Sequence, residues 1–152
     1  MATVVAGWDG SEGSERALAL AATVAAEGDT LLVVSVVPAG LQERSFLEML
    51  LPTIDVSGLI KPGSFTDRAK ERLEARVKGL KTRAKVEAVV RAGDPADEIL
   101  TLLQERDASH LIVGFKSYEK HLRYELGSIA DKLVRHAPCA VTVVRWPAAQ
   151  AR

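Results

Sequence analysis

The hydrophobic positions along the chain alternate between two periods, which indicates that strands and helices alternate. Residues 31–37, LLVVSVV, form a continuous apolar run that is typical of a strand buried on both faces. From Ala17 to Ala25, apolar residues recur at three- and four-residue spacing, which predicts an amphipathic helix. The same patterns predict further strands at 3–8, 85–91, 110–114 and 140–145, and helices at 64–80, after Asp94, and at 128–136.

The starts of three helices carry residues that commonly cap them. Ser11 and Asp94 are predicted N-caps, and Pro95 suits the first helical position after Asp94. Ser128 is likewise predicted to cap the helix that follows it. Between the second strand and the helix at 64–80, the pattern is irregular. A short apolar helix is predicted at 46–51, in an excursion over residues 39–62 that covers the sheet.

Strands that alternate with helices predict an α/β fold with a mostly parallel sheet, covered by helices on both faces and built from right-handed crossovers. The 152 residues are enough for one domain with one core and too few to expect two. We expect the domain to span residues 1–147, followed by a frayed tail at 148–152.

Composition narrows the classes of function. Twenty basic and twenty acidic residues cancel, so no overall field attracts the chain to nucleic acid or to an anionic membrane. A single cysteine, Cys139, excludes an internal disulfide and fits a reducing compartment. The chain has no signal-peptide pattern and no apolar run of the roughly 20 residues that span a bilayer. These features predict a cytoplasmic location.

In open α/β sheets, ligands bind beyond the carboxyl ends of the strands, where the strand order reverses. Two loops there have suitable chemistry: GWDGS at 7–11, which carries Asp9, and the basic loop between Gly114 and Ser128. Asp9 suits ribose hydroxyls or a metal ion held by phosphates, and a glycine-rich helix start suits an anion. The same residues also suit an ordinary connection between a strand and a capped helix. The residues alone leave both interpretations open.

Three segments resemble the universal stress protein family, and together they cover nearly the whole chain. They are VVAGWDGSEGSERALALA, RAGDPADEIL and LIVGFKSYEKHLRYELGSIADKLVRHAPCAVTVVR. The resemblance implies an open five-stranded parallel sheet of order 3-2-1-4-5, a Rossmann-like fold of the adenine nucleotide alpha hydrolase type. In that order the first and fourth strands are neighbours, so both loops face one crevice.

The resemblance also implies a nucleotide site. The family's ATP motif, G-x2-G-x9-G-[S/T], aligns with Gly114 and with Gly127-Ser128, but its second glycine is Ser117 here. Asp9 would contact the ribose, and the backbone at Val36 or Val37 the adenine. Trp8 replaces the smaller residue that is usual beside the acid. The full set of predicted nucleotide-binding residues is Gly7, Trp8, Asp9, Val36, Val37, Val113, Gly114, Lys116, Ser117, Gly127, Ser128, Ile129 and Ala130.

The resemblance implies a stress-response module that binds ATP, ADP or AMP as a sensing or regulatory ligand, with magnesium only alongside ATP. The alternative is a nucleotide-free dimeric interaction module in which Ser117 and Trp8 compromise the site. Catalysis would be slow ATP hydrolysis at most, and no catalytic residue is predicted. Scattered histidines predict no metal site made by protein ligands, and Cys139 is interpreted as a core residue.

The last strand is apolar and is expected at the edge of the sheet, where unpaired backbone groups favour pairing with another chain. Family members commonly dimerise by pairing this strand antiparallel about a two-fold axis, so the resemblance implies a homodimer. An additional protein partner is expected but not identified. The predicted dimer interface comprises Ala140, Val141, Thr142, Val143, Val144 and Arg145.

Overall fold

A computed structural model describes residues 1–38, 64–115 and 126–145 of the chain. Within these ranges, five strands alternate with helices in the predicted way. The elements are β1 (Thr3–Gly7), α1 (Glu12–Val24), β2 (Thr30–Pro38), α2 (Ser64–Lys78), β3 (Lys85–Gly93), α3 (Pro95–Glu105), β4 (His110–Gly114), α4 (Ser128–His136) and β5 (Ala140–Val144). The helix predicted at 46–51 and the tail at 148–152 lie outside the described residues.

The five strands form one parallel sheet of order β3-β2-β1-β4-β5, which confirms the predicted fold. β1 lies at the centre, with Val4 opposite Leu31 of β2 on one side and His110 of β4 on the other. The strand order reverses between β1 and β4. Their carboxyl ends therefore meet at the position where ligands bind in sheets of this kind.

The core consists of two apolar clusters, one on each face of the sheet. Alternate residues of β1 point to opposite faces, because side chains alternate along a strand. Val4 and Ala6 pack with Leu18 of α1 and Leu73 of α2, whereas Val5 packs on the opposite face against α3 and α4. The sheet thus holds α1 and α2 on one side of the central strand and α3 and α4 on the other.

Two of the three predicted N-caps are confirmed. The Ser11 hydroxyl accepts from the Ser14 amide at 3.3 Å, and the Asp94 carboxylate accepts from the Asp97 amide at 2.9 Å. The prediction for Ser128 is wrong. Gly127, with extended backbone angles of −57° and 154°, is the N-cap of α4 and provides no side-chain hydrogen bond. The helix begins at Ser128 itself, so this serine is the first helical residue and not the cap.

Among the helices of the described ranges, none has both the length and the apolar character needed to cross a membrane. Those ranges also contain no group of three or more His, Cys, Asp or Glu residues arranged to hold a metal ion.

Candidate functional site

The ends of β1 and β4 bring three of the predicted site residues together. Ala6 lies opposite Ile112, so the next residues along each strand, Gly7 and Val113, are also neighbours. An ideal Cβ placed on Gly7 would lie 3.3 Å from Cγ1 of Val113. Gly114 follows directly at the end of β4. Glycines therefore lie at both of these adjacent strand ends, where there is little space for a side chain.

The turn between β1 and α1 is held by its own hydrogen bonds. The Asp9 amide donates to the Ser14 hydroxyl at 3.2 Å, and Oδ1 of Asp9 accepts from the Ser11 amide at 2.9 Å. Gly10 has a φ of +83°, a conformation that glycine adopts without strain. The resulting turn keeps the exposed Asp9 at the carboxyl end of β1.

Trp8 lies in the core rather than on the surface of the turn. Its side chain is only 8% exposed and belongs to the apolar cluster between the sheet, α1 and α2. The indole Nε1 donates to Oε1 of Glu15 at 2.7 Å, and the Trp8 amide donates to the Val34 carbonyl at 2.9 Å. Both N–H groups of Trp8 are therefore satisfied within the protein.

Glu15 links Trp8 to α2. Nη2 of Arg76 lies 2.8 Å from Oε2 of Glu15, and Nε of Arg76 donates to both carboxylate oxygens. The hydrogen bond from Arg76 lowers the pKa of Glu15, burial opposes this shift, and the bond from Trp8 lowers the pKa further. The guanidinium carbon of Arg72 lies 5.7 Å from the centroid of the Trp8 ring.

Gly114 is in direct contact with the first turn of α1. An ideal Cβ on Gly114 would lie 2.5 Å from both the carbonyl carbon and the oxygen of Gly13, and 2.9 Å from the Ser14 nitrogen. Any side chain at residue 114 would displace the backbone of α1 at Gly13 and Ser14. The position aligned with the first motif glycine thus requires glycine for packing alone, with or without a ligand.

The first turn of α4 presents backbone amides at the same edge of the sheet. Gly127 gives no side-chain cap, and the first bond of the helix runs from the Asp131 amide to the Gly127 carbonyl at 2.9 Å. The preceding amides, at Ser128, Ile129 and Ala130, are those that an α-helix leaves without partners of its own. Such a helix start favours an anion.

A salt bridge joins this helix to α3. Nζ of Lys132 lies 2.6 Å from Oδ1 of Asp97 and 3.8 Å from Oδ1 of Asp94. The hydrogen bond to Asp97 raises the pKa of Lys132. The starts of α3 and α4 are therefore tied together at the edge of the sheet where the strands end.

The remaining predicted residues divide into three groups. Val36 and Val37, near the end of β2, are half-buried and lie opposite Arg91 and Ala92 of β3. Lys116 and Ser117 lie outside the described residues. Ala140 to Val144 form β5 at the edge of the sheet, and Arg145 follows with its guanidinium carbon 4.9 Å from the centroid of the Phe115 ring.

Four residues beside the site were not predicted from the sequence: Gly13, Glu15, Arg72 and Arg76. A partial signal for the two arginines was present, because they lie four residues apart on a predicted helix and must share one face. Nothing in the sequence indicated which turn they contact.

The model of the universal stress protein family matches residues 1–145. The chain belongs to this family. A universal stress protein from Methanothermobacter thermautotrophicus is 41% identical over 86 residues, which are 53% of this chain and 57% of that protein. A universal stress protein from Thermus aquaticus is 31% identical over 147 residues, covering 94% of this chain and 98% of the relative.

Solved structures of universal stress proteins share the fold. One, in complex with cAMP, has a TM-score of 0.65 at 23% identity and covers 95% of this chain and 96% of its own. Another, from Arabidopsis thaliana with AMP bound, has a TM-score of 0.60 at 17% identity and covers 99% of this chain and 95% of its own. At these identities, the likeness shows the universal stress protein fold.

Proposed function

We propose that this universal stress protein binds an adenine nucleotide beyond the carboxyl ends of β1 and β4, as a sensing or regulatory ligand in a stress response. The observation that carries the proposal is the start of α4, where Gly127 provides no side-chain cap and the amides of Ser128 to Ala130 precede the first helical hydrogen bond. Two proteins of the same fold, one in complex with cAMP and one with AMP bound, support the choice of an adenine nucleotide.

Each part of the site has a distinct role in the proposal. The phosphates lie at the first turn of α4, because backbone N–H groups and the helix dipole both favour negative charge there. The Asp9 carboxylate accepts from the ribose hydroxyls. The backbone near Val36 and Val37 contacts the adenine, and Gly7 and Gly114 lie at the two strand ends between these groups. Lys116 and Ser117 are assigned to the phosphates by the family resemblance alone.

The preferred ligand in this proposal is ATP with magnesium held by its phosphates, and ADP or AMP would use the same ribose and adenine contacts. The proposed role is binding without efficient turnover, in a cytoplasmic protein. Trp8 supports the turn and makes no hydrogen bond to the ligand, because its indole N–H already donates to Glu15.

A second candidate function is a nucleotide-free dimeric interaction module. The observation that favours it is that Trp8 and Gly114 each have a structural role without a ligand. The Trp8 indole donates a hydrogen bond to Glu15, and Gly114 packs against Gly13. In this alternative, the departure at Ser117 closes the phosphate loop, and protein partners bind elsewhere on the surface.

Calorimetric titration of nucleotide-stripped protein separates the two functions. The titrants are ATP with magnesium, ADP, AMP and cAMP. We expect saturable binding that Asp9→Asn weakens about tenfold or more, because a hydrogen bond to a charged group is lost. Asparagine retains an oxygen that can accept from the Ser11 amide, so the turn is preserved.

Asp107→Asn is the matched control, since it removes the same charge between α3 and β4, at the opposite edge of the sheet. It should leave the affinity unchanged. If none of the four nucleotides gives a heat of binding, and none competes with another for the protein, the proposed function would be overturned in favour of the nucleotide-free module.

A further inference from the structure

Two arginines on consecutive turns of α2 reach the beginning of the β1–α1 connection: Arg72 lies at the turn, and Arg76 contacts Glu15 in the first turn of α1. Arg72 and Arg76 are four residues apart and therefore project from one face of the helix. The guanidinium of Arg72 lies over the Trp8 ring, and its Nη2 would be 2.6 Å from a Cβ on Gly10. Arg76 contacts Glu15 instead.

The contacts of Glu15 form a continuous path from α2 to the indole. Its Oε1 accepts from Trp8 Nε1 at 2.7 Å and from Arg76 Nε at 3.0 Å, and its Oε2 lies 2.8 Å from Arg76 Nη2. Because the Arg76 guanidinium contacts both carboxylate oxygens of Glu15, it restricts the orientation of this carboxylate more than a single hydrogen bond would. The orientation of the Trp8 ring is therefore set by Glu15 and Arg76, neither of which is among the residues assigned to the nucleotide.

Trp8 immediately precedes Asp9, and Gly10 immediately follows it. The backbone before Asp9 is held by the bond from the Trp8 amide to the Val34 carbonyl and by the anchored indole. The backbone after Asp9 has a positive φ at Gly10, beside the guanidinium of Arg72. Residues from α2 thus restrain the chain on both sides of the carboxylate that is proposed to contact the ribose.

We infer that Arg76 and Glu15, assisted by Arg72, are positioning residues for the nucleotide site: they hold Trp8 and so fix the direction of Asp9. The inference rests on the proposed function, because it concerns the geometry of that same site. Coupling between two groups is reciprocal. A nucleotide bound at Asp9 must therefore also tighten the contacts of Trp8, which makes the indole a reporter of occupancy.

The test uses the full chain with Trp146→Phe, which leaves Trp8 as the single tryptophan. Acrylamide quenching of Trp8 emission reports its exposure without any ligand, and titration with ATP and magnesium reports affinity. Arg76→Gln should increase the quenching, raise the Kd for the nucleotide about fivefold or more, and reduce the change in Trp8 emission on binding. Glu15→Gln should do the same, and Arg76→Lys should restore part of both effects.

Two controls separate positioning from a general loss of stability. Arg68→Gln removes the same charge about two turns before Arg76 on α2. Arg106→Gln removes an ion pair of the same type, to Glu87 at 2.8 Å, between α3 and β3. Neither should alter Trp8 quenching or the Kd.

Each contrary result identifies what has failed. Unchanged quenching in Arg76→Gln would overturn the claim that the pair holds Trp8. Increased quenching with an unchanged Kd would overturn the link from Trp8 to the nucleotide. A wild-type protein that binds no nucleotide would overturn the proposed function and the link with it, whereas the quenching comparison would still decide whether Arg76 holds the indole.

Discussion

The backbone of Gly114 at the end of β4 lies directly on the backbone of Gly13 in the first turn of α1. A Cβ at residue 114 would be 2.5 Å from the carbonyl carbon and oxygen of Gly13, a distance that only a shift of main chain could relieve. The contact joins the two elements that border the candidate site. It explains the first motif glycine by packing, independently of any phosphate.

Gly114→Ala is therefore expected to destabilise the ligand-free protein by about 1–3 kcal/mol, the usual range for overpacking a well-packed site. Gly79→Ala is the matched control, because an ideal Cβ there meets nothing within 4 Å. It should be neutral or stabilising by up to about 1 kcal/mol. Urea unfolding without nucleotide measures both, and equal stabilities would contradict the packing explanation.

Gly10→Ala should be more damaging than Gly28→Ala, although both glycines have positive φ values, of +83° and +92°. The conformational strain, about 1–2 kcal/mol, is common to the two substitutions. At Gly10 the new Cβ would lie 2.6 Å from Nη2 of Arg72, so the guanidinium must move from its place over Trp8, whereas at Gly28 the nearest atom is Cγ of Met1 at an ordinary 4.0 Å.

The excess cost at Gly10 should shrink in an Arg72→Ala background, because the two changes share one contact. Thermal or urea unfolding of the four variants measures this coupling. If the difference between the Gly10 and Gly28 substitutions stays the same without Arg72, the crowding is not the cause.

The Glu15–Arg76 pair predicts a specific dependence of stability on pH. The pKa of Glu15 is lowered in the folded protein from an ordinary value of 4.5, mainly by Arg76. Between the two pKa values the unfolded chain binds more protons, so the free energy of unfolding falls as the pH falls. The contribution of Glu15 is fully present above about pH 4.5 and is lost as the pH drops through its folded pKa.

Urea unfolding of the wild type and Glu15→Gln over a series of pH values measures this contribution. The difference in stability should be largest near neutral pH and should narrow below pH 4.5. Arginines also lower the pKa values of Glu87 and Glu105. Both residues are present in the two proteins, so their contributions to the pH dependence cancel in the difference. A difference independent of pH would show that the charge of Glu15 does not contribute.

The outer edge of β5 provides a further prediction. Among the described strands, β5 pairs with β4 alone and has no partner strand on its other side, and such an edge favours pairing with another chain. We expect a homodimer formed by this strand, and Val143→Lys should shift sedimentation towards the monomer. Val134→Lys, on an α4 side chain that is already exposed, is the control. A wild-type monomer, or an unaltered Val143→Lys protein, would contradict this interface.

Most of the fold was predictable because local patterns agree with the tertiary structure. The predicted strand at 110–114 and helix at 128–136 have the bounds observed for β4 and α4. The predictions at 31–37 and 85–91 stop short of β2 and β3, which run from Thr30 to Pro38 and from Lys85 to Gly93. These two strands pair along nine residues, so hydrogen bonding extends them beyond their apolar runs.

The candidate site was predictable only in part, because its decisive contacts join distant residues. The strand ends at Gly7 and Gly114 follow from the alternation of elements and from the family's strand order. The direction of Trp8 does not, since its partner Glu15 is in turn held by Arg76, which is 61 residues further along the chain. The cap of α4 was mispredicted because serine is favoured over glycine at the N-cap position, whereas Ser128 is already the first residue of the helix.

The bridge from Lys132 to Asp97 and Asp94 has a consequence for the entropy of the anion binding that is proposed at the start of α4. It fastens α4 to α3, and Ala130 and Leu133 bury the inner side of the same helix. The amide dipoles at its start are thus oriented before any anion arrives. An arriving ligand has little rotational freedom to remove from these groups, so more of its contact energy remains as affinity.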